Sequence, residues 1–127
     1  MEKEIKINEK APKAIGPYSP SVKIGDLLFI SGQIPIDPAN GNIVKGNIEE
    51  QAKRVLQNLK LTLQPYEIGL ERIVKTTIFI KDMNDFSKIN EIYGHYFTDK
   101  HPARSCVEVS RLPKDVLIEI EAIAYCG

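Results

Sequence analysis

The sequence predicts an α+β chain, a mixed β-sheet covered on one face by two helices, in a single domain spanning residues 1–127. Three observations predict it. Two stretches, Ile48 to Leu63 and Phe86 to Phe97, carry apolar residues at helical spacing. Around them lie short alternating or β-branched runs bounded by glycine and proline. The order is strand, hairpin, helix, strand, helix, strand, strand, which suits one helical layer on one sheet.

Glu4 to Asn8 alternates and reads as a short edge strand. Ala11 to Pro20 holds three prolines and a glycine, and is a loop. Ser21 to Ile24, Gly25-Asp26 and Leu27 to Ser31 form a hairpin with a tight turn. Ile48, Ala52, Val55, Leu59 and Leu63 share one face of the first helix. Asn47 is its predicted N-cap and Glu50 its capping-box carboxylate. Pro65 predicts a kink or an end, with Gly69 as the latest stop. Ile73 to Lys81 is β-branched and predicts a well-buried strand.

Asp82 to Asp85 open the second helix, and Phe86, Asn90, Tyr93 and Phe97 fall on its core-facing side. Asn90 is the odd member there. Its amide must order a neighbouring backbone or touch a ligand, because an unpaired buried amide costs about 1–3 kcal/mol. The chain closes with strands from Arg104 to Val109 and from Leu117 to Tyr125, expected to pair as neighbours. Two helices cover only one sheet face. The other face carries Leu117 and Ile123 among polar residues, so a further subunit is expected to cover it.

The 17 basic and 17 acidic residues balance, which argues against an electrostatic nucleic-acid binder. Apolar content of 43% and charged content of 27% fit a globular domain. The charged opening Met1-Glu2-Lys3-Glu4 has no signal-peptide pattern, and no apolar run is long enough for a membrane helix. Cys106 and Cys126 form neither a disulfide framework nor a metal-spaced pair. The expectation is a cytoplasmic protein without membrane or nucleic-acid partners. No metal-ligand or phosphate-loop spacing is present.

Pro102 to Val109 concentrates the chemistry. Alternation sends Arg104, Cys106 and Glu108 to one face and Ser105, Val107 and Val109 to the other, the apolar side covering a core. Arg104 suits a planar carboxylate, because a guanidinium offers a two-pronged donor. It also suits a structural ion pair with Glu119 or Glu121. If the last two strands pair, Arg104, Cys106, Glu119 and Glu121 share one sheet face. An anion on Arg104 then lies beside a carboxylate able to handle water or a proton. Cys106 as a nucleophile needs a histidine base. His95 is placed on the exposed side of its helix and His101 in a loop, so a packed strand cysteine competes with that reading. Gly32 allows close backbone approach by a ligand, or is a plain strand-end turn. Tyr18, between Pro17 and Pro20, either covers a pocket or packs in its loop.

Gly16-Pro17-Tyr18-Ser19, Ser31-Gly32-Gln33-Ile34-Pro35, Val74-Lys75-Thr76-Thr77, Phe79-Ile80-Lys81-Asp82-Met83, Pro102 to Val109, Leu112-Pro113 and Ile118 to Ala124 occur in register. Together they resemble the Rid family of reactive-intermediate deaminases, and most closely its 2-iminobutanoate/2-iminopropanoate deaminases. The resemblance implies a chorismate-mutase-like fold and a homotrimer with a central β-barrel and active sites between neighbours. It implies hydrolysis of 2-imino acids to 2-oxo acids and ammonia with no cofactor. Arg104 matches the carboxylate-binding residue and Glu119 the residue that positions water. Gly32 and Cys106 match backbone contacts, Tyr18 the pocket cover, and Asn90 a supporting amide. Two further readings are a non-catalytic trimeric sensor of small carboxylates and an RNA-directed translation inhibitor, since members of the family have been called ribonucleases. Pro20 and His101 depart from the family pattern and bear on substrate preference.

Overall fold

The computed structural model describes residues 1–127. The hairpin forms as the sequence predicts, with β1 (Ser21–Ile24) and β2 (Leu27–Gln33) antiparallel. Gly25 turns the chain at φ 58°, a left-handed value that a residue without Cβ adopts freely. The expected opening strand reduces to one antiparallel bridge, Glu4 with Lys23. Beyond it the chain leaves the sheet edge, because Asn8 donates to Leu61 O at 2.7 Å and the Lys6 amide to the Tyr66 hydroxyl at 2.9 Å.

Helix α1 (Ile48–Leu63) starts at Asn47, whose Oδ1 accepts from the Glu50 amide at 3.1 Å. The predicted apolar stripe is wholly buried. Pro65 ends the helix in a 3-10 turn, Gln64–Tyr66. Strand β3 (Ile73–Ile80) follows. Helix α2 (Phe86–Tyr96) begins after a separate 3-10 turn, Met83–Asp85, in which Asp82 caps the Asn84 amide at 2.9 Å. Strands β4 (Ala103–Glu108) and β5 (Ile118–Tyr125) complete the sheet.

The order across the sheet is β1-β2-β5-β3-β4. The last two strands are therefore not neighbours. A helix between β3 and β4 carries the chain back to the same end of the sheet, so β4 adds parallel to β3. Strand β5 then inserts between β2 and β3, antiparallel to both.

Leu28, Ile30, Ile78, Ile80, Ile118 and Ile120 face α1 and α2 and form one core with Val55, Leu59, Ile89 and Tyr93. Asn58, with no solvent exposure, joins α1 to the segment after β2 by donating to Ile34 O at 3.2 Å and Ile36 O at 2.9 Å. The expected core face of α2 is displaced: Ile89, Ile92, Tyr93 and Phe97 are buried, Phe86 is half-buried and Asn90 is exposed. The opposite sheet face is open and mixes polar with apolar side chains, with Leu27, Phe29, Val107 and Tyr125 each more than 40% exposed. No helix is long and apolar enough to cross a membrane.

Candidate functional site

Arg104 stands on β4, the outermost strand, opposite Thr76 of β3. Thr76 is a core-facing residue with no solvent exposure, so Arg104 leans towards the helices. Cys106 pairs with Ile78 and takes the same side. The alternation along β4 is as predicted, but the faces are reversed. The Arg104, Cys106 and Glu108 side looks to the helical layer, and Val107 is 43% exposed on the open face. Glu108 accepts from the Met83 amide at 2.8 Å, which fixes the turn into α2.

The Arg104 guanidinium meets no carboxylate; the ion pairs of the chain are Lys6–Glu4, Lys53–Glu50, Lys88–Glu49 and Arg111–Asp115. The structural ion pair with Glu119 or Glu121 is thus absent. Instead Arg104 donates to Asn90 Oδ1 at 2.7 Å. Asn90 orders neither a backbone nor a core contact; it holds the arginine. The guanidinium carbon lies 4.9 Å from the Tyr93 ring centre and 5.4 Å from that of Phe86. Burial pushes the Tyr93 phenol up, against the Thr76 hydrogen bond and the Arg104 charge. Burial also raises the Cys106 thiol, with Arg104 pulling it down. A half-buried cysteine with a raised pKa is a packing residue rather than a ready thiolate.

Glu119 lies on β5 opposite Phe79, and Glu121 opposite Thr77. Both carboxylates therefore face away from the helices. The expected shared face with Arg104 is not formed, because β3 separates the strands and Arg104 and Glu119 stand on opposite sides of the sheet. Glu119 instead lies against Gly32 and shares a cleft with Tyr18. The three line a cleft of about 440 Å³ with Ile15, Ile34 and Glu121.

Gly32 sits where the β2–β5 register shifts, between Ile30 and Gln33. A Cβ at Gly32 would run into the Glu119 carboxylate. The glycine is what lets that carboxylate lie against the β2 backbone. Burial raises the pKa of Glu119, and the Glu121 charge raises it further. The Tyr18 loop is fastened to β2 at Ser31, whose hydroxyl donates to Ser19 O at 2.6 Å and whose amide donates to Pro20 O at 3.0 Å. Pro20 thus keeps the loop carbonyl that anchors Tyr18 beside Gly32.

One chain accordingly carries two separate groups. Arg104, Asn90 and Cys106 form a cationic group at the sheet edge, and Tyr18, Gly32 and Glu119 an acidic cleft on the open face. Phe86, Tyr93 and Ser31 belong to these groups without having been assigned to them from sequence. For the aromatics the signal is their spacing, with Asn90 between them on one helix face. Ser31 is marked only by following the strand into Gly32.

A family model described as endoribonuclease L-PSP matches residues 8–126. A RutC family protein from Pyrococcus abyssi is 58% identical over 125 residues, 98% of each chain. The 2-iminobutanoate/2-iminopropanoate deaminase of Salmonella typhimurium is 50% identical over 119 residues, 91% of this chain and 92% of that one. YyfA from Yersinia pestis, solved as a member of the Rid protein family, has a TM-score of 0.95 at 46% identity, covering 98% of this chain and 99% of that one. Matches of this extent run through both groups of residues and every strand between them, and the chain belongs to the Rid family.

Proposed function

We propose that this protein hydrolyses small 2-imino acids, of the 2-iminobutanoate and 2-iminopropanoate type, to 2-oxo acids and ammonia, without a cofactor. The observation that carries the reading is the free guanidinium of Arg104. It is held by Asn90 and two rings, yet has no carboxylate of its own. The likeness to the Salmonella typhimurium deaminase points the same way.

In this reading Arg104 grips the substrate carboxylate through two parallel hydrogen bonds. The iminium carbon is already electrophilic, so orientation and water activation suffice. Glu119 takes a proton from water as the oxygen attacks C2, giving a carbinolamine. The proton then passes to nitrogen, the hydroxyl gives its own proton to Glu119 as the C–N bond breaks, and ammonia leaves with the 2-oxo acid formed. A carboxylate with raised proton affinity suits this take-and-return role. The Gly32 and Cys106 backbones supply further polar contacts, and Tyr18 covers the site.

Arg104 and Glu119 cannot meet one substrate within a chain that holds them on opposite sheet faces. The site is therefore completed by a neighbouring copy, with the edge group of one subunit against the cleft of the next. A homotrimer that closes on the open sheet face satisfies both requirements. The chain works in the cytoplasm, where such imines are made.

A coupled assay tests the reading. A threonine dehydratase generates 2-iminobutanoate in situ, and release of 2-oxobutanoate is followed. Wild type should accelerate release. Arg104→Ala should lose on the order of 10²–10³-fold in kcat/KM while keeping its fold. Glu119→Gln separates catalysis from sensing: turnover should fall while 2-oxobutanoate still binds. Full activity in Arg104→Ala would overturn the role of Arg104. No acceleration by wild type, with 2-oxobutanoate bound, would favour the carboxylate sensor.

A further inference from the structure

Phe86, Asn90 and Tyr93 stand at i, i+4 and i+7 on α2, one above the other on the same side. The hydrophobic pattern assigns that side to the core. The fold gives it to Arg104, whose guanidinium lies across all three residues. Tyr93 is itself fixed twice. Its hydroxyl shares a hydrogen bond with Thr76 at 2.8 Å, and its ring stacks on Phe97 at 4.4 Å between centres. Tyr93 is only 5% exposed and Thr76 is fully buried.

An arginine side chain at an exposed strand edge has many rotamers to lose on binding. Here one N–H is taken by Asn90, and the carbon at the centre of the guanidinium plane lies over two aromatic rings. The remaining donors lie in that plane, directed along its edge.

We propose that Phe86 and Tyr93 are positioning residues that act through Arg104. They hold the guanidinium flat, so that its free donors meet a planar two-oxygen anion edge-on, and they make the site select a guanidinium over an ammonium. The proposal rests on the reading of Arg104 as the carboxylate-binding group.

Two measurements on the full-length protein test it. The first is the Arg104 Nε–H resonance in the free protein, assigned by its absence in Arg104→Lys. In wild type it should be shifted upfield by the rings and rigid. Tyr93→Leu should return it to a mobile, unshifted position, whereas Tyr93→Phe should keep it. The second is the Kd for 2-oxobutanoate. It should rise about 3- to 30-fold in Tyr93→Leu and stay within about twofold in Tyr93→Phe. In the Arg104→Lys background, Tyr93→Leu should have little further effect. Such non-additivity marks action through Arg104, which general loosening of the core would not produce.

Phe86→Leu, at a half-buried position, gives the same readouts without opening the core. An Arg104 resonance that stays rigid and shifted in both leucine variants overturns the proposal. So does a Kd that is unchanged once the resonance has become mobile. Ordering by the rings with no 2-oxobutanoate binding in wild type supports the hold of the rings on Arg104 and overturns its presentation to a carboxylate, and with it the reading of Arg104 as the carboxylate-binding group.

Discussion

Gly32 shows how one missing Cβ shapes the chemistry of a neighbour. Gly32→Ala would drive the Glu119 carboxylate out of its place, since the added carbon collides with it. Imine turnover should fall at least tenfold while far-ultraviolet circular dichroism stays unchanged; an active Gly32→Ala would show that the position of Glu119 is not limiting. Glu119 also makes a prediction in pH. Burial first, and Glu121 second, raise its pKa above the ordinary 4.5, so the folded chain binds that proton more tightly than the unfolded chain. Its contribution to stability is therefore lost as pH rises through and above 4.5. Glu119→Gln escapes this loss, and should gain stability over wild type on the neutral side of that window but not well below it. In activity, these two causes should hold the acid limb above the ordinary glutamate value of 4.5. Glu121→Gln removes a like charge and should move that limb down; a limb that stays fixed would show that Glu119 is not the titrating base.

The elements themselves were largely legible, for reasons particular to each. Asn47 and Pro65 bracket α1 because an N-cap and a helix-breaking ring act locally. The β-branched run of β3 and the Gly25 turn were equally local. Pairing was not legible from neighbourhood in sequence. The rule that consecutive strands pair placed Arg104 beside Glu119, whereas the β3–α2–β4 crossover sends β4 to the far edge and leaves the gap beside β3 for β5. A strand–helix–strand unit is itself a signal for parallel pairing, and it outweighs adjacency here. The α2 stripe was legible in part: Tyr93 and Phe97 reach the core, whereas Phe86 and Asn90 look along the sheet edge, where β4 presents an arginine. The residues of the candidate site were legible as types, and their division between two sheet faces was not. Asn58 makes the junction between helix and cleft testable. Its amide is the donor to Ile34 O and Ile36 O, just beyond the strand that carries Gly32. Asn58→Ala leaves Ile36 O without its donor, whereas Ile34 O keeps the Ile36 amide at 2.8 Å, and should cost about 1–3 kcal/mol, or roughly 4–12 °C in Tm at equal protein concentration. A thermal shift of a degree or two would mean that the loop finds other donors.

At the scale of the whole molecule, the open sheet face and the divided site ask for the same remedy. Leu27, Phe29, Val107 and Tyr125 leave large apolar side chains exposed on the open face of a single chain, among Lys75, Glu119 and Glu121. The free edge with Arg104 lies at one end of the sheet order, and the Glu119 cleft lies on the open face. A second copy that covers the face brings an edge to a cleft. The measurement that tests this most directly is complementation between two inactive variants. Arg104→Ala and Glu119→Gln, each assayed alone for 2-oxobutanoate release, should be nearly inactive. Co-refolded in equal amounts, they should recover up to about a quarter of wild-type activity, because a competent Arg104 then meets a competent Glu119 on a neighbour in about one site in four. No recovery in mixed oligomers verified by mass would contradict a site shared between subunits.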